Sequence, residues 1–288
     1  MANFRTIRRR IRSVQNTAKV TRAMQLIAAS KMRRAQEQVV AARPYAQKIR
    51  QVLSELAGQR SGGDDVQHPL LQQRPVHQSL VVHFTPDRGL CGGLPGNMNR
   101  RTAQFILDSA HPVSLLTVGK KGRDFMVRTR QDVIGVFINL SDRPSLADSL
   151  PITHLMERLY TDGTVDQVVL AYSQFVNTGL QRPTMTQVLP IETESLGPSL
   201  ADAGYIYEPD EQQVFAALLP RFLEMQVYHA LLESIASEQS ARMVAMRNAT
   251  DNAKSLVGDL TLDMNKLHQD TITRELLDLI GGQVPMEG

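Results

Sequence analysis

The sequence has 288 residues, of which 42% are hydrophobic, so it can bury a sizeable core and form about two domains of ~150 residues each. Its single cysteine, Cys91, excludes an intramolecular disulfide and a zinc site built from several thiolates, and we expect a reducing compartment. No stretch approaches the ~18 uninterrupted apolar residues of a membrane span, and the start lacks the apolar segment of a signal peptide.

The net charge of +3 conceals an uneven distribution along the chain. Residues 1–50 contain thirteen Lys or Arg and one acid, Glu37, whereas the remaining residues hold 19 basic and 28 acidic side chains. A basic arm of this kind can contact nucleic acid, an anionic membrane surface or an acidic protein partner.

The N-terminal segment carries a heptad seam. Alternating steps of four and three residues from Ile7 to Leu56 select fifteen positions, of which thirteen are apolar. The spacing predicts a helix over most of residues 3–57, about 80 Å long at a rise of ~1.5 Å per residue. We expect Pro44 to kink or interrupt this helix, because its ring clashes with the carbonyl of Val40.

The middle segment alternates short β-rich runs with helical runs, after a flexible linker at residues 58–65. This order predicts right-handed crossovers and a mainly parallel sheet covered on both faces, which is a Rossmann-like α/β domain. The predicted strands begin at Ser79, Val113, Asp132, Gln167 and Thr184, and the predicted helices cover about 97–110, 120–130 and 146–161.

The loop Asp87–Asn97, DRGLCGGLPGN, follows the first strand, where such folds often bind phosphate. It lacks the nucleotide-triphosphate motif, does not match GxGxxG, and has no acid placed to hold a ribose. A tight strand-to-helix turn is therefore favoured, and a nucleotide-dependent enzyme is an alternative that rests on this loop alone. Nucleophilic catalysis by Cys91 requires an oriented histidine, for which His83 and His111 are the candidates.

The C-terminal segment repeats the heptad pattern. Sixteen seam positions from Phe215 to Leu267 include thirteen apolar residues, and the seam then slips by one residue to Ile272. Gly258 is a weak point of the predicted helix, and Gly281 and Gly282 mark its predicted end. Two such seams, separated by a domain that returns the chain, predict an antiparallel coiled coil. The polar seam positions are interpreted as register devices or partner contacts rather than ligands: Gln25, His229, Gln239 and Thr250.

The predicted architecture is thus an α/β chain of three segments. Residues 1–58 form the N-terminal coiled-coil helix, 59–208 the Rossmann-like α/β domain and 209–288 the C-terminal coiled-coil helix. The pattern offers no catalytic, cofactor or metal site. A coiled coil that binds nucleic acid through RTIRRRIR is an alternative, but the heptad already runs through this basic segment and no RNA-stacking aromatic cluster is present.

Several longer motifs resemble the gamma subunit of F-type ATP synthases. They are IRRRIRSVQNTAKVTRAMQLIAASKMRRAQ from Ile7, RPYAQ from Arg43, DRGLCGGL from Asp87, YIYEPD from Tyr205, ASEQSARMVAMRNATDNA from Ala236 and NKLHQDTITREL from Asn265. The resemblance covers both helices and the middle domain in the same order. The sequence departs from the family pattern at Met264, His268 and Arg274, which leaves the detail of the C-terminal contacts open.

The resemblance implies a non-catalytic rotor shaft without a cofactor. The coiled coil would enter the hexamer of alternating alpha and beta subunits, and the α/β domain would meet the epsilon subunit and the membrane ring of c subunits. The chain would then be a peripheral protein at the cytoplasmic face of a bacterial membrane, and would touch the membrane only through the c ring.

The same resemblance assigns residues to each contact. Those expected against the alpha and beta subunits, or against each other nearby, are Lys19, Arg22, Met24, Lys31, Arg242, Gln269, Thr273 and Glu275. Those expected against the c ring and the epsilon subunit are Tyr205, Tyr207 and Glu208. Amphipathic tyrosines beside an acid suit a half-wet protein contact, although a strand end closed by a proline turn explains the local sequence equally well.

Overall fold

The computed structural model describes residues 4–59, 68–192 and 207–281. A long helix comes first and another comes last along the chain, and strands alternate with shorter helices between them. In chain order the elements are α1 (Phe4–Gln59), a 3-10 turn (Pro69–Leu71), β1 (Ser79–Phe84), α2 (Leu94–Asp108), β2 (Val113–Val118), α3 (Lys120–Arg128), β3 (Asp132–Phe137), α4 (Leu146–Thr161), β4 (Gln167–Asn177), β5 (Leu180–Leu189) and α5 (Glu211–Gly281).

The chain divides into two compact units, and both long helices contribute to each. The first unit comprises Met1–Ile27 and Met243–Gly288, and the second comprises Ala28–Arg242. The second unit therefore holds the whole sheet together with the parts of α1 and α5 that pack on it. The division by chain position into residues 1–58, 59–208 and 209–288 stays a prediction.

The sheet has five strands in the order β3-β2-β1-β4-β5. The pairs β2–β3, β1–β2 and β1–β4 are parallel, and β5 pairs antiparallel with β4. The predicted mainly parallel, Rossmann-like layer is confirmed. All side chains of β1 and β2 are buried, because helices cover both faces of the sheet centre, whereas those of the edge strand β3 alternate between exposed and half-buried.

The strand boundaries match the predictions at β1 and β2 and differ at β5. The predicted last strand begins at Thr184, but β5 begins at Leu180 because it forms a hairpin with β4. The Asn177 carboxamide oxygen accepts the backbone N–H groups of Gly179 and Leu180, both at 2.9 Å, and so fixes the turn. The apolar pattern within a single strand does not reveal which strand it pairs with, so the sequence did not predict this hairpin.

Helix α1 continues through Pro44, so the predicted interruption is wrong, while the alternative of a kink stays a prediction. A proline inside a helix costs about 3 kcal/mol, since one backbone hydrogen bond is lost and the ring crowds the preceding turn. Burial on either side outweighs that cost. Ala42 and Ala46 pack against the main core, and Ile49 is buried within it.

The two heptad seams are buried over most of their length, as the sequence predicts, but His229 and the last seam positions, Ile272, Leu276 and Leu279, are exposed. In the first unit Ile7 and Ile11 of α1 form a cluster with Leu260 of α5. Nearer the end of that unit, the buried hydroxyl groups of Thr21 and Thr250 lie 2.7 Å apart. The contacts advance along α1 while they recede along α5, so the helices are antiparallel. The Thr21–Thr250 pair is a polar position that fixes their register.

In the second unit the helix seams merge with the core of the sheet. Leu53 of α1 and Leu219 of α5 are fully buried in the same cluster as Leu80, Leu116 and Leu170 of the central strands. Burying a leucine side chain contributes about 1.5–3 kcal/mol. The helices and the α/β layer of this unit therefore share one hydrophobic core.

His83 is a fully buried polar residue of β1, and its side chain lies between the sheet and α2. Its Nε2 lies 2.8 Å from Asn99 Oδ1, to which it donates, and its Nδ1 accepts the Thr102 hydroxyl at 3.0 Å. Burial lowers the pKa of His83 from 6.5 to about 4. The imidazole is therefore neutral in the folded protein at physiological pH.

This neutral histidine makes stability pH-dependent. The unfolded chain takes up a proton at His83 below about pH 6.5, whereas the folded chain resists it until about pH 4. The stabilisation is complete above pH 6.5 and is lost as the pH falls toward 4. Between pH 7 and pH 5 we expect urea unfolding of the full chain to show a loss of about 2 kcal/mol from this group.

His83→Gln should remove that share of the pH dependence, and His111→Gln, at an exposed position, should leave it in place. An unchanged pH dependence in His83→Gln would show that other groups cause the acid destabilisation.

Candidate partner-binding surfaces

Three of the predicted contact residues lie on α1 in the first unit. Lys19 and Arg22 are exposed, and Met24 is half-buried beside the seam. The Arg22 guanidinium donates to the Gln25 side-chain oxygen at 2.9 Å. Most of this surface is therefore available to a partner, while Met24 already packs partly within the chain.

The predicted contact residues near the end of α5 are exposed too. Gln269, Thr273 and Glu275 lie on the segment 268–280, here called the α5 end, in which every side chain is exposed. The Thr273 hydroxyl donates to the Gln269 carbonyl at 2.9 Å, so it is satisfied within the helix. Large apolar side chains on the same segment are also uncovered: Ile272, Leu276, Leu277, Leu279 and Ile280.

Lys31 and Arg242 have partners within the second unit. Lys31 Nζ lies 2.5 Å from Asp142 Oδ2, which joins α1 to the segment after β3. Arg242 Nη2 lies 2.7 Å from Glu238 Oε1 and donates at 3.2 Å to the carbonyl oxygen of Gly89 in the glycine-rich loop. Both cations are thus engaged inside their own chain.

The glycine-rich loop is held in place by the carboxylate of its first residue, Asp87. Asp87 Oδ1 accepts the backbone N–H of Lys120 at the start of α3, at 2.9 Å. Its Oδ2 accepts the backbone N–H of Asn139 after β3, at 2.8 Å. Asp87 therefore places its negative charge at the N-terminus of α3 and ties the loop to the segment after β3.

The geometry favours the turn interpretation for Cys91. The thiol is buried, and burial, followed by the charge of Glu238, raises its pKa. His83 uses both ring nitrogens on Asn99 and Thr102, and so does not serve Cys91. A neutral thiol without a base is a weak nucleophile.

His229 lines a cavity with Arg43 and Arg50 of α1 rather than a metal site. Its Nε2 is 3.7 Å from Glu233 Oε1, and its pKa is lowered, chiefly by burial. Within residues 4–59, 68–192 and 207–281, no group of three or more His, Cys, Asp or Glu side chains is arranged to hold a metal ion.

The segment expected to meet the c ring is described only in part. Tyr205 lies outside the described residues. Tyr207 is half-buried and packs against the main core, and Glu208 is exposed. Asp210 then caps α5, because its Oδ1 accepts the backbone N–H of Gln213 at 2.8 Å.

Sequence reasoning missed a polar strip on α5 that binds the main chain of the β4–β5 hairpin. Glu233 accepts the N–H of Phe175 at 2.7 Å, and Ser237 donates to the carbonyl of Ser173 at 2.8 Å. Ser240 donates to the carbonyl of Thr178 at 3.0 Å. The spacing of four and three residues places these side chains on one helix face, and this spacing is the available sequence signal.

The described residues thus define a class of α/β protein in which a pair of long helices shares its core with a mainly parallel sheet. Solved structures share this fold. A chain of the central stalk and c-ring structure of Tetrahymena thermophila mitochondrial ATP synthase is 27% identical, with a TM-score of 0.60 over 80% of this chain and 99% of its own. A chain of Euglena gracilis mitochondrial ATP synthase, 17% identical with a TM-score of 0.67, shares the fold over 97% of this chain and 93% of its own.

Sequence comparisons are more specific. The sequence profile of the ATP synthase family matches residues 3–284. The ATP synthase gamma chain of Dehalococcoides mccartyi is 55% identical over 282 residues, which are 98% of each chain. That of Desulfitobacterium hafniense is 44% identical over 287 residues, which are 100% of each chain.

The chain belongs to the ATP synthase gamma-chain family. It is a non-catalytic component of that enzyme and serves as the shaft of its rotor, in the central stalk. The comparisons give the nucleic-acid alternative no support. No helix in the described ranges is long and apolar enough to cross a membrane.

The bonding of Asp87 predicts a structural role for the glycine-rich loop. Asp87→Ala leaves two backbone N–H groups without their acceptor, and we expect it to lower the free energy of unfolding by about 1–3 kcal/mol in urea titrations of the full chain. Asp124→Ala removes an exposed pair with Arg123 and should cost less than about 1 kcal/mol. Equal effects of the two substitutions would contradict the assigned role of Asp87.

Proposed function

We propose that the first unit turns inside the hexamer of alternating alpha and beta subunits, and that the second unit meets the epsilon subunit and the c ring. The uncovered α5 end carries this proposal. Five large apolar side chains between Ile272 and Ile280 are exposed in the isolated chain. Exposed apolar groups on this scale mark a surface that a partner covers.

The charge of the first unit supports a protein sleeve of opposite sign. Its α1 portion exposes Arg8, Arg9, Arg10, Arg12, Lys19 and Arg22. We propose that these residues face acidic loops of the alpha and beta subunits. Charges at a moving contact favour orientation and fast encounter more than tight binding, which suits a shaft that must turn.

We propose that Tyr205, Tyr207 and Glu208 bind the epsilon subunit and the c ring, and that the chain is therefore peripheral at the cytoplasmic face of a bacterial membrane. The exposure of Glu208 and the half-burial of Tyr207 support this contact. Tyrosine rings of this kind offer an apolar face and a polar edge to a partner.

Met24 tests the contact with the hexamer. A lysine at this half-buried position adds either a new attraction to the sleeve or a poorly solvated charge. We expect Met24→Lys to lower the ratio of proton pumping to ATP hydrolysis by at least about threefold in reconstituted vesicles, while the complex still assembles. Met24→Leu keeps the apolar contact and should remain coupled. Parallel loss of assembly and activity would instead identify a simple packing position.

The tyrosines test the contact with the c ring. We expect Tyr205→Ala combined with Tyr207→Ala to release most of the catalytic part from washed membranes, because tyrosine is enriched among the interface residues whose truncation costs about 2 kcal/mol or more. ATP hydrolysis by the released part should persist.

Tyr45→Ala is the matched control, since Tyr45 is an exposed tyrosine on α1, and it should leave the complex membrane-bound. Tyr207→Phe keeps the ring that packs against the core and removes only the hydroxyl group, so it distinguishes core packing from a polar contact with the partner. A double variant that stays bound and coupled would contradict this placement, and one that loses hydrolysis while assembled would assign these residues to the catalytic hexamer.

A further inference from the structure

The carboxyl ends of the parallel strands meet both long helices in the second unit. A cavity of about 360 Å³ lies there, lined by residues of the loops after β1, β2 and β3 and by α5. Asp87, Asp142 and Glu238 all face it. In many α/β proteins this edge binds a ligand. Here each of the three carboxylates already has a partner in its own chain.

Two of those partners come from the long helices. Lys31 of α1 pairs with Asp142, and Arg242 of α5 pairs with Glu238 while donating to the Gly89 carbonyl. Arg242 thus connects α5 to the glycine-rich loop by a direct hydrogen bond. Its side chain is 12% exposed and that of Glu238 is 18% exposed, so the pair is largely shielded from water.

We propose that Arg242, oriented by Glu238, latches the glycine-rich loop onto α5 and thereby fixes the rotational position of the α/β layer on the helix. Arg242 is thus a positioning residue for torque transfer within the rotor. The consequence for coupling rests on the proposed function, whereas the latch itself does not.

The rest of the α5 interface explains why this contact matters. Glu233, Ser237 and Ser240 bind the β4–β5 hairpin on one side of the sheet. The latch binds the loop after β1, which is an independent point of attachment. A helix fixed at two separated points resists rotation about its own axis better than a helix fixed at one. Helix α5 is continuous from Glu211 to Gly281, so a torque applied to residues 233–242 passes along it.

Guanidinium chemistry suits this role. One planar group has several N–H donors in fixed directions, so it can bind a carboxylate and a carbonyl at the same time. Glu238 lies one helical turn before Arg242 and holds the side chain in place. A neutral glutamine at position 242 is shorter and uncharged, so it cannot maintain both contacts.

Cys91 provides a probe of the latch. It is the only cysteine of the chain, it lies in the latched loop, and it is 1% exposed. Its reaction with a maleimide reagent therefore requires the loop to open. We expect Arg242→Gln to raise the labelling rate in the full chain at pH 7.5 by about tenfold, the factor that corresponds to ~1.4 kcal/mol of local opening free energy.

The controls separate the latch from general loosening. Arg221→Gln removes another arginine of α5 that pairs with a glutamate, Glu224, far from the loop, and should leave the rate within about twofold. Arg242→Lys keeps the charge but not the forked geometry and should give an intermediate rate. If Arg242→Gln does not fold, Glu238→Gln tests the same contact. A labelling rate unchanged in Arg242→Gln, or raised equally in Arg221→Gln, would overturn the latch.

The assembled enzyme gives the second readout. In vesicles, Arg242→Gln should lower protons pumped per ATP by about threefold or more while hydrolysis stays within about twofold, and Arg221→Gln should pump normally. Faster labelling of Cys91 together with a normal number of protons pumped per ATP would contradict the role of Arg242 in torque transfer, but not the latch itself. Failure of the wild-type chain to assemble with its hexamer would instead refute the proposed function, and the labelling result would stand.

Discussion

The pairing of the first helix with the last helix is the interaction on which the rest of the structure depends. Each helix carries an apolar seam that no compact domain could cover alone, and the two seams are buried together over most of their length. Ile7 and Ile11 lie in one cluster with Leu260 in the first unit, and Leu53 lies in one cluster with Leu219 in the second. The partner of each seam lies at the opposite end of the sequence. The middle of the chain must therefore return between them, and the α/β layer that returns it shares their core.

The unequal lengths of the paired helices suit a rotor. Helix α1 has 56 residues and α5 has 71, so the α5 end presents apolar side chains that α1 does not cover. A shaft can hold three catalytic sites in different states only if it offers them different contacts, since a partner shifts a conformational equilibrium only through differential binding. The polar contacts of α5 with the hairpin and the glycine-rich loop give that shaft a firm attachment to the α/β layer.

Features with a local period were predictable from the sequence, and features that join distant backbone groups were not. The seam positions, the Rossmann-like order and the starts of β1 and β2 follow from the spacing of apolar residues. The continuity of α1 at Pro44 depends on tertiary packing, and the start of β5 depends on pairing with β4. The partners of Arg242 and Lys31 within the chain could not be predicted from the sequence either. A backbone carbonyl such as that of Gly89 is present at every residue, and Asp142 is 111 residues from Lys31. Family resemblance places these cations against the alpha and beta subunits or against each other nearby, and that placement stays a prediction beside the partners within the chain.

The central claim is that this chain is the single asymmetric member at the centre of a symmetric sleeve. The native mass and subunit ratio of the complex purified through this chain test it most directly. The account predicts one copy of the chain for three alpha and three beta subunits. Recovery of the chain in equal numbers with either subunit, or as a self-association without them, would contradict it.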